Sequence, residues 1–175
     1  FILPEISISL VIMFLLVLGV FKKNSSSLVH YLSIAFLLII GILIFNNPSD
    51  INTSLFSDSY IIDNLSSFMK ILTILAGAIV LSISRKYLKI FKIFLIEYPI
   101  LILCSILGMM VMISSNDLMV FYIGLELQSL ALYVLASFNR EELKSSESGV
   151  KYFVLSALSS GLLLYGCSLI YGFAG

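Results

Sequence analysis

Among the ten acidic residues of this 175-residue chain, Glu126 stands apart because it lies well inside an apolar run, Leu118–Phe138. A carboxylate at the centre of a membrane-spanning helix costs about 2.5–3.5 kcal/mol on an insertion scale, against roughly −0.3 to −0.6 kcal/mol for each Leu, Ile, Val or Phe. The Leu, Ile, Val and Phe residues around Glu126 suffice to insert the run with its glutamate in place. At helical spacing Tyr122, Ser129 and Tyr133 fall at i−4, i+3 and i+7 from it and form a polar stripe. Such a stripe faces other helices, and a carboxyl poised there between desolvation and a nearby positive charge can take up and release protons. Proton relay is the chemistry these residue types point to; a hydrogen-bonded packing contact is the alternative.

Lys70 and Lys151 lie within about two turns of the ends of their apolar runs, where a four-carbon stem can carry the ammonium to the interface. Snorkelling is the simpler reading of Lys70, which follows Asp63 and Asn64; for Lys151, spacing alone leaves snorkelling and an intramembrane role equally open. Ser148 and Lys151 also match the S-x-x-K pattern of penicillin-recognising enzymes, but no soluble domain is present to house that site, and the match is accidental. His30, beside Tyr31 with no second His or Cys close by, reads as an interfacial side chain rather than a metal ligand. Glu97 suits a helix N-terminus by charge, with a role in feeding protons as the alternative. Cys104 and Cys167 sit in apolar runs outside any paired spacing and read as buried hydrophobes, so neither a disulfide nor a zinc site is indicated.

These residues are carried by a chain that is 60% hydrophobic and 11% charged, with a mean hydropathy of +1.12, which excludes an ordinary soluble domain. Ten Lys and Arg balance ten Asp and Glu, leaving no basic surplus to hold nucleic acid. Six apolar stretches, approximately 2–21, 28–45, 65–83, 98–114, 118–138 and 152–173, approach the roughly 20 helical residues that cross a hydrocarbon core. They do not alternate in period two, and lipid offers backbone groups no partners, so helices are expected rather than a β-barrel. Residues 1–175 are thus expected to form a single all-α polytopic domain in a lipid bilayer. In the last stretch Ala157 and Gly161 stand at close-packing spacing, which reads as structure.

Lys22, Lys23, Arg85, Lys86, Lys89, Lys92, Arg140 and Lys144 follow the first, third and fifth stretches. The connectors 46–64 and 115–117 hold Asp50, Asp58, Asp63 and Asp117 but no Lys or Arg. By the positive-inside rule the basic connectors face the cytoplasm or matrix and Phe1 lies outside. Topology accounts for the cluster Arg85–Lys92 without a lipid-headgroup patch, which is the alternative. Phe1–Ser9 lacks the basic start of a signal peptide. Because the chain opens on Phe and stops at the end of an apolar stretch, it is expected to be a fragment of a longer membrane protein. No internal sequence repeat is visible.

Three runs then become recognisable: E-Y-P-I-L-I-L from Glu97, G-M-M-V-M-I-S-S-N-D-L-M-V-F-Y-I-G-L-E-L-Q-S-L-A-L-Y-V-L-A-S-F from Gly108, and S-S-E-S-G-V-K-Y-F-V-L-S-A-L-S-S-G-L-L-L-Y-G from Ser145. With L-P-E-I at Leu3 and D-N-L-S-S-F-M-K-I-L at Asp63, they closely resemble the antiporter-like subunits of proton-pumping NADH:quinone oxidoreductase, respiratory complex I. The run around Glu126 is of the N type, called subunit 2 in mitochondria; the sister subunits L and M usually carry a tryptophan before that glutamate, and this chain has no Trp.

The resemblance implies a fourteen-helix fold with inverted repeats, of which this chain would hold the first six helices, and outer-side termini. It implies that Glu126 pairs with a lysine on a later helix, that Lys151 occupies the family's lysine position on the sixth helix, and that Lys70 matches a lysine common in bacterial relatives. The candidate proton path is therefore Glu126, Lys151 and Lys70, supported by Tyr122, Ser129 and Tyr133. No cofactor or metal is expected in this chain; NADH, FMN, iron–sulfur clusters and quinone would belong to partner subunits of the membrane and redox arms. The expected function is proton translocation coupled to quinone reduction elsewhere, in a bacterial inner membrane, with a mitochondrial inner membrane as the alternative. A multi-subunit cation/proton antiporter and a purely structural membrane subunit are the competing functions.

Overall fold

The computed structural model describes residues 2–21, 26–46, 53–56, 58–91, 93 and 95–174. Lys22, Lys23, Asp50 and Lys92 of the charge pattern lie outside the described residues. Among the described residues six helices run α1 Leu3–Phe21, α2 Ser26–Asn46, α3 Asn64–Ile90, α4 Glu97–Ile113, α5 Leu118–Ala136 and α6 Leu143–Ala174. All but the 17-residue α4 are long and apolar enough to cross a membrane.

The connector before α3 departs from an all-helical reading. Thr53–Leu55 (β1) and Tyr60–Ile62 (β2) pair antiparallel, with Ser54 opposite Ile61, across a turn in which Phe56 and Asp58 have positive φ. Tyr60, Ile61 and Ile62, an aromatic and two β-branched residues after a polar turn, favour this over a helix. Two other elements extend past the apolar stretches that mark them. Helix α3 continues to Ile90, so Arg85, Lys86 and Lys89 ride on its last turns, and α6 begins at Leu143, well ahead of its apolar run. Apolarity delimits what lies in lipid, whereas intrahelical hydrogen bonds continue through polar residues with good helix propensity.

Helix α4 is the centre of the bundle. Its Leu103, Ile106 and Met110 are at most 1% exposed and pack with Ile8 and Leu15 of α1, Leu37 of α2, and Ile74 and Leu81 of α3 into one apolar core. Helix α5 lies along the other side of α4, and α6 packs against α5. Alternating helix directions gather the hairpin and the starts of α1, α3 and α5 at one end of the bundle. At that end β2 is joined to the α4–α5 connector by Ile61 N–H donating to Ser114 O at 2.9 Å and Asn116 N–H donating to Ser59 O at 3.0 Å. Arg85, Lys86, Lys89, Arg140 and Lys144 lie towards the opposite, basic end.

Candidate functional site

Glu126 is set by the crossing of α4 and α5. A Cβ added at Gly108 would stand 2.6 Å from Gln128 N and 2.8 Å from Gly124 O; one added at Gly124 would stand 2.9 Å from Met112 N. The two backbones therefore touch, and only glycine fits at either position, the small-residue device by which helices approach closely in lipid. At its start α5 is capped by Asp117, whose carboxylate accepts from Met119 N–H at 2.8 Å and from the Tyr171 hydroxyl of α6. The Tyr171 bond first, and the Met119 bond next, hold the Asp117 carboxyl below the usual carboxylate range.

At the level of the crossing, Glu126 is half-buried. The Ser129 hydroxyl donates to the Glu126 backbone carbonyl at 3.0 Å and lies 3.4 Å from Oε2, while Oε1 is buried with no hydrogen-bond partner among the described residues. Tyr122 is half-buried on the same stripe. Tyr133 is buried, donates its hydroxyl to Ser156 Oγ of α6 at 2.6 Å, and packs edge-to-face against Tyr152 and Phe153. The stripe thus runs from a carboxyl with an open acceptor to a hydroxyl contact between two helices.

Lys151 lies on an exposed face of α6, with its ammonium 2.5 Å from Glu147 Oε1, an i,i+4 pair. Lys70 is placed differently from the snorkelling expectation. It is 3% exposed, and its Nζ lies 2.6 Å from Glu5 Oε1 of α1 and donates to the Tyr60 hydroxyl at 3.2 Å. A counter-charge at matching depth on α1 holds the ammonium inside the bundle. Glu126, Lys151 and Lys70 share no hydrogen bond or ion pair with one another; each has partners of its own.

Glu5 and Tyr60 escape a reading that weighs each span by itself. The available signal was a carboxylate in the first turn of one stretch and a lysine shortly inside another that starts from the same end. Two other positions also differ from expectation. His30 is fully buried rather than interfacial, its Nε2 2.9 Å from Leu81 O, so that it bridges α2 to α3. Glu97 opens α4 without a side-chain cap and instead pairs with exposed Arg140 at 3.4 Å. A Cβ added at Gly161 would meet no atom of another described helix within 4 Å, so the Ala157–Gly161 face of α6 packs against none of them. Cys104 is half-buried and Cys167 buried, both as free thiols.

Residues 115–175, from the connector through α5 and α6, match the transmembrane family described as NADH:quinone oxidoreductase/Mrp antiporter. Over all 175 residues the chain is 83% identical to NADH-quinone oxidoreductase subunit N of Pelagibacter ubique (strain HTCC1062), spanning 37% of that protein. Over 99% of the chain it is 47% identical to subunit N of Maricaulis maris (strain MCS10), spanning 36% of it. Respiratory complex I from Thermus thermophilus with bound aureothin contains a chain of the same fold, with a TM-score of 0.81 at 24% identity over 97% of this chain and 36% of that one. The chain thus spans a little over a third of the length of its curated relatives, and over that portion it is similar throughout to subunit N of NADH-quinone oxidoreductases.

Proposed function

We propose that this chain is part of a proton-translocating membrane-arm subunit of a bacterial NADH:quinone oxidoreductase, embedded in the inner membrane with its basic end towards the cytoplasm. Quinone reduction in partner subunits drives transport, and the redox cofactors reside there. The observation that carries the reading is the buried Glu126 Oε1 in the interior of α5, without a hydrogen-bond partner among the described residues and fixed by a glycine crossing. An ionisable group kept inside a membrane bundle marks a functional site by default, and an acceptor left open there is a place for a proton. Glu126 acts as the proton carrier, the Ser129 and Tyr133 hydroxyls as its polar surroundings, and Lys151 as a cation on the face of α6 that the described helices leave open. Lys70 belongs to a separate cluster, near the hairpin.

The test is NADH-driven proton uptake in membrane vesicles carrying the full-length subunit with Glu126→Gln, alongside complex assembly and quinone reductase rate. Assembly with a sharp fall in pumping is expected; assembly with wild-type pumping would reduce Glu126 to a packing residue. The match of residues 115–175 to a family that includes Mrp antiporters supports a second reading, a cation/proton antiporter subunit. Transport that needs only an ion gradient and no NADH would favour it.

A further inference from the structure

The Glu126 account leaves unused the most deeply buried charges among the described residues, Glu5 and Lys70, 6% and 3% exposed. The Lys70 ammonium lies 2.6 Å from Glu5 Oε1, and the Tyr60 hydroxyl donates to that same oxygen at 2.7 Å while accepting from Lys70 at 3.2 Å. Every oxygen and nitrogen of the cluster is thereby engaged except Glu5 Oε2, which is buried with no partner among the described residues. An ion pair kept for stability alone would be an uneconomical choice, because well-packed apolar residues of similar volume in place of a buried pair are often neutral or stabilising. An orphaned acceptor adds a further penalty.

A cleft with polar lining opens close to the cluster. One turn of α3 from Lys70, Ser66 lines a cleft of about 350 Å³ together with Asp63, Ser114, Ser115 and Asn116. These are polar groups of the α3 cap and the α4–α5 connector, at the hairpin end where the bundle meets water. The charged and titratable groups facing the pair can be named element by element. Helix α1 supplies Glu5; α3 supplies Lys70, whose charge acts on Asp63 at the helix cap; β2 supplies Tyr60; and Ser114, which caps the end of α4, lies beside the phenol. The titratable groups of α2, His30 and Tyr31, sit near its start, towards the basic end. Burial first, and the Glu5 charge second, push the Tyr60 phenol upward, so it remains a donor over the physiological range.

We propose that Glu5, Tyr60 and Lys70 form a second proton-exchange site, at the hairpin end, with Glu5 gaining and losing the proton and Lys70 as its fixed counter-charge. A proton delivered by water forms an O–H bond at Oε2 and leaves a neutral carboxyl beside an ammonium held by Tyr60. On release the O–H bond breaks, the proton passes to water, and the carboxylate pairs with Lys70 again. The inference shares with the preceding reading the premise that the chain moves protons, yet the protonation of Glu5 can be observed without any pumping.

The experiment is an infrared difference spectrum of the assembled complex in vesicles, taken over a series of bulk pH values. Wild type is compared with Glu5→Asp and with the doubly neutral Glu5→Gln/Lys70→Met. The expected result is a carboxylic-acid carbonyl band in wild type that shifts in Glu5→Asp and vanishes in the double variant, which also moves fewer protons per NADH. A band that is the same in wild type and Glu5→Asp would overturn the proposal, and that comparison holds even if the double variant does not assemble. Loss of the band with unchanged pumping would still locate an exchangeable proton on Glu5 while separating it from the Glu126 route. The Glu126→Gln experiment fails or succeeds independently of this spectrum.

Discussion

Substituting Gly108 by alanine tests how the structure places Glu126. The new methyl would lie 2.6 Å from Gln128 N and 3.0 Å from Gln128 Cα, backbone atoms that cannot rotate away. To restore ordinary contact near 3.4 Å, α5 must withdraw from α4 by about 0.8 Å at the level of Glu126. Overpacking of this kind costs roughly 1–3 kcal/mol. Misplacing a reacting group by about 1 Å can lower a rate on the order of 100-fold, so pumping should suffer more than stability does. Gly124→Ala meets Met112 N at 2.9 Å from the other side. Since one separation of the helices relieves both clashes, the double variant should cost less than the sum of the singles. Thermal unfolding of the detergent-solubilised full-length subunit, complex assembly and NADH-driven proton uptake are the measurements. If Gly108→Ala assembles, melts and pumps as wild type, α5 can move without consequence and the account of how Glu126 is positioned fails.

Lys70→Met leaves the Glu5 carboxylate buried and unpaired and should destabilise the subunit by about 3–5 kcal/mol, whereas Glu5→Gln/Lys70→Met should be close to neutral. A double-mutant cycle on melting curves reads the difference, and additive losses would mean that the pair is not coupled. Asp63 caps α3, accepting from Ser66 N–H at 2.8 Å while its own N–H donates to Ser66 Oγ at 3.0 Å; the Ser66 N–H first, and the Ser66 hydroxyl next, hold its carboxyl below the usual range. A depressed carboxylate contributes stability that is fully present above its unfolded value and lost as pH falls through the folded one. Asp63→Ala should therefore cost about 0.5–2 kcal/mol at neutral pH. Melts over a pH series should show that gap closing in the acid range, below about pH 4; a constant gap would argue against the cap. Lys151→Met removes only an exposed i,i+4 pair, worth about 0.3–0.5 kcal/mol. An unchanged melting temperature with reduced proton uptake would assign it an ionic role, and unchanged uptake would deny one.

The sequence by itself determined that this is a helical membrane chain, because the length and apolarity of each run are summed local properties that lipid enforces without reference to neighbours. It also singled out Glu126, whose cost is set by depth within its own run, and the motif around it carried the family. What it could not supply was the company each side chain keeps. Lys70 reads as a snorkelling lysine until α1 brings Glu5 within 2.6 Å. His30 reads as interfacial until α3 presents the Leu81 carbonyl. The polar connector before α3 gives little warning that Tyr60 will bridge a buried ion pair. Burial and pairing are decided by which helices pack together, here around α4 and at two touching glycines. Packing depends on shape complementarity between segments distant in sequence, so only the tertiary structure could settle which charges are paired and where an acceptor stays open.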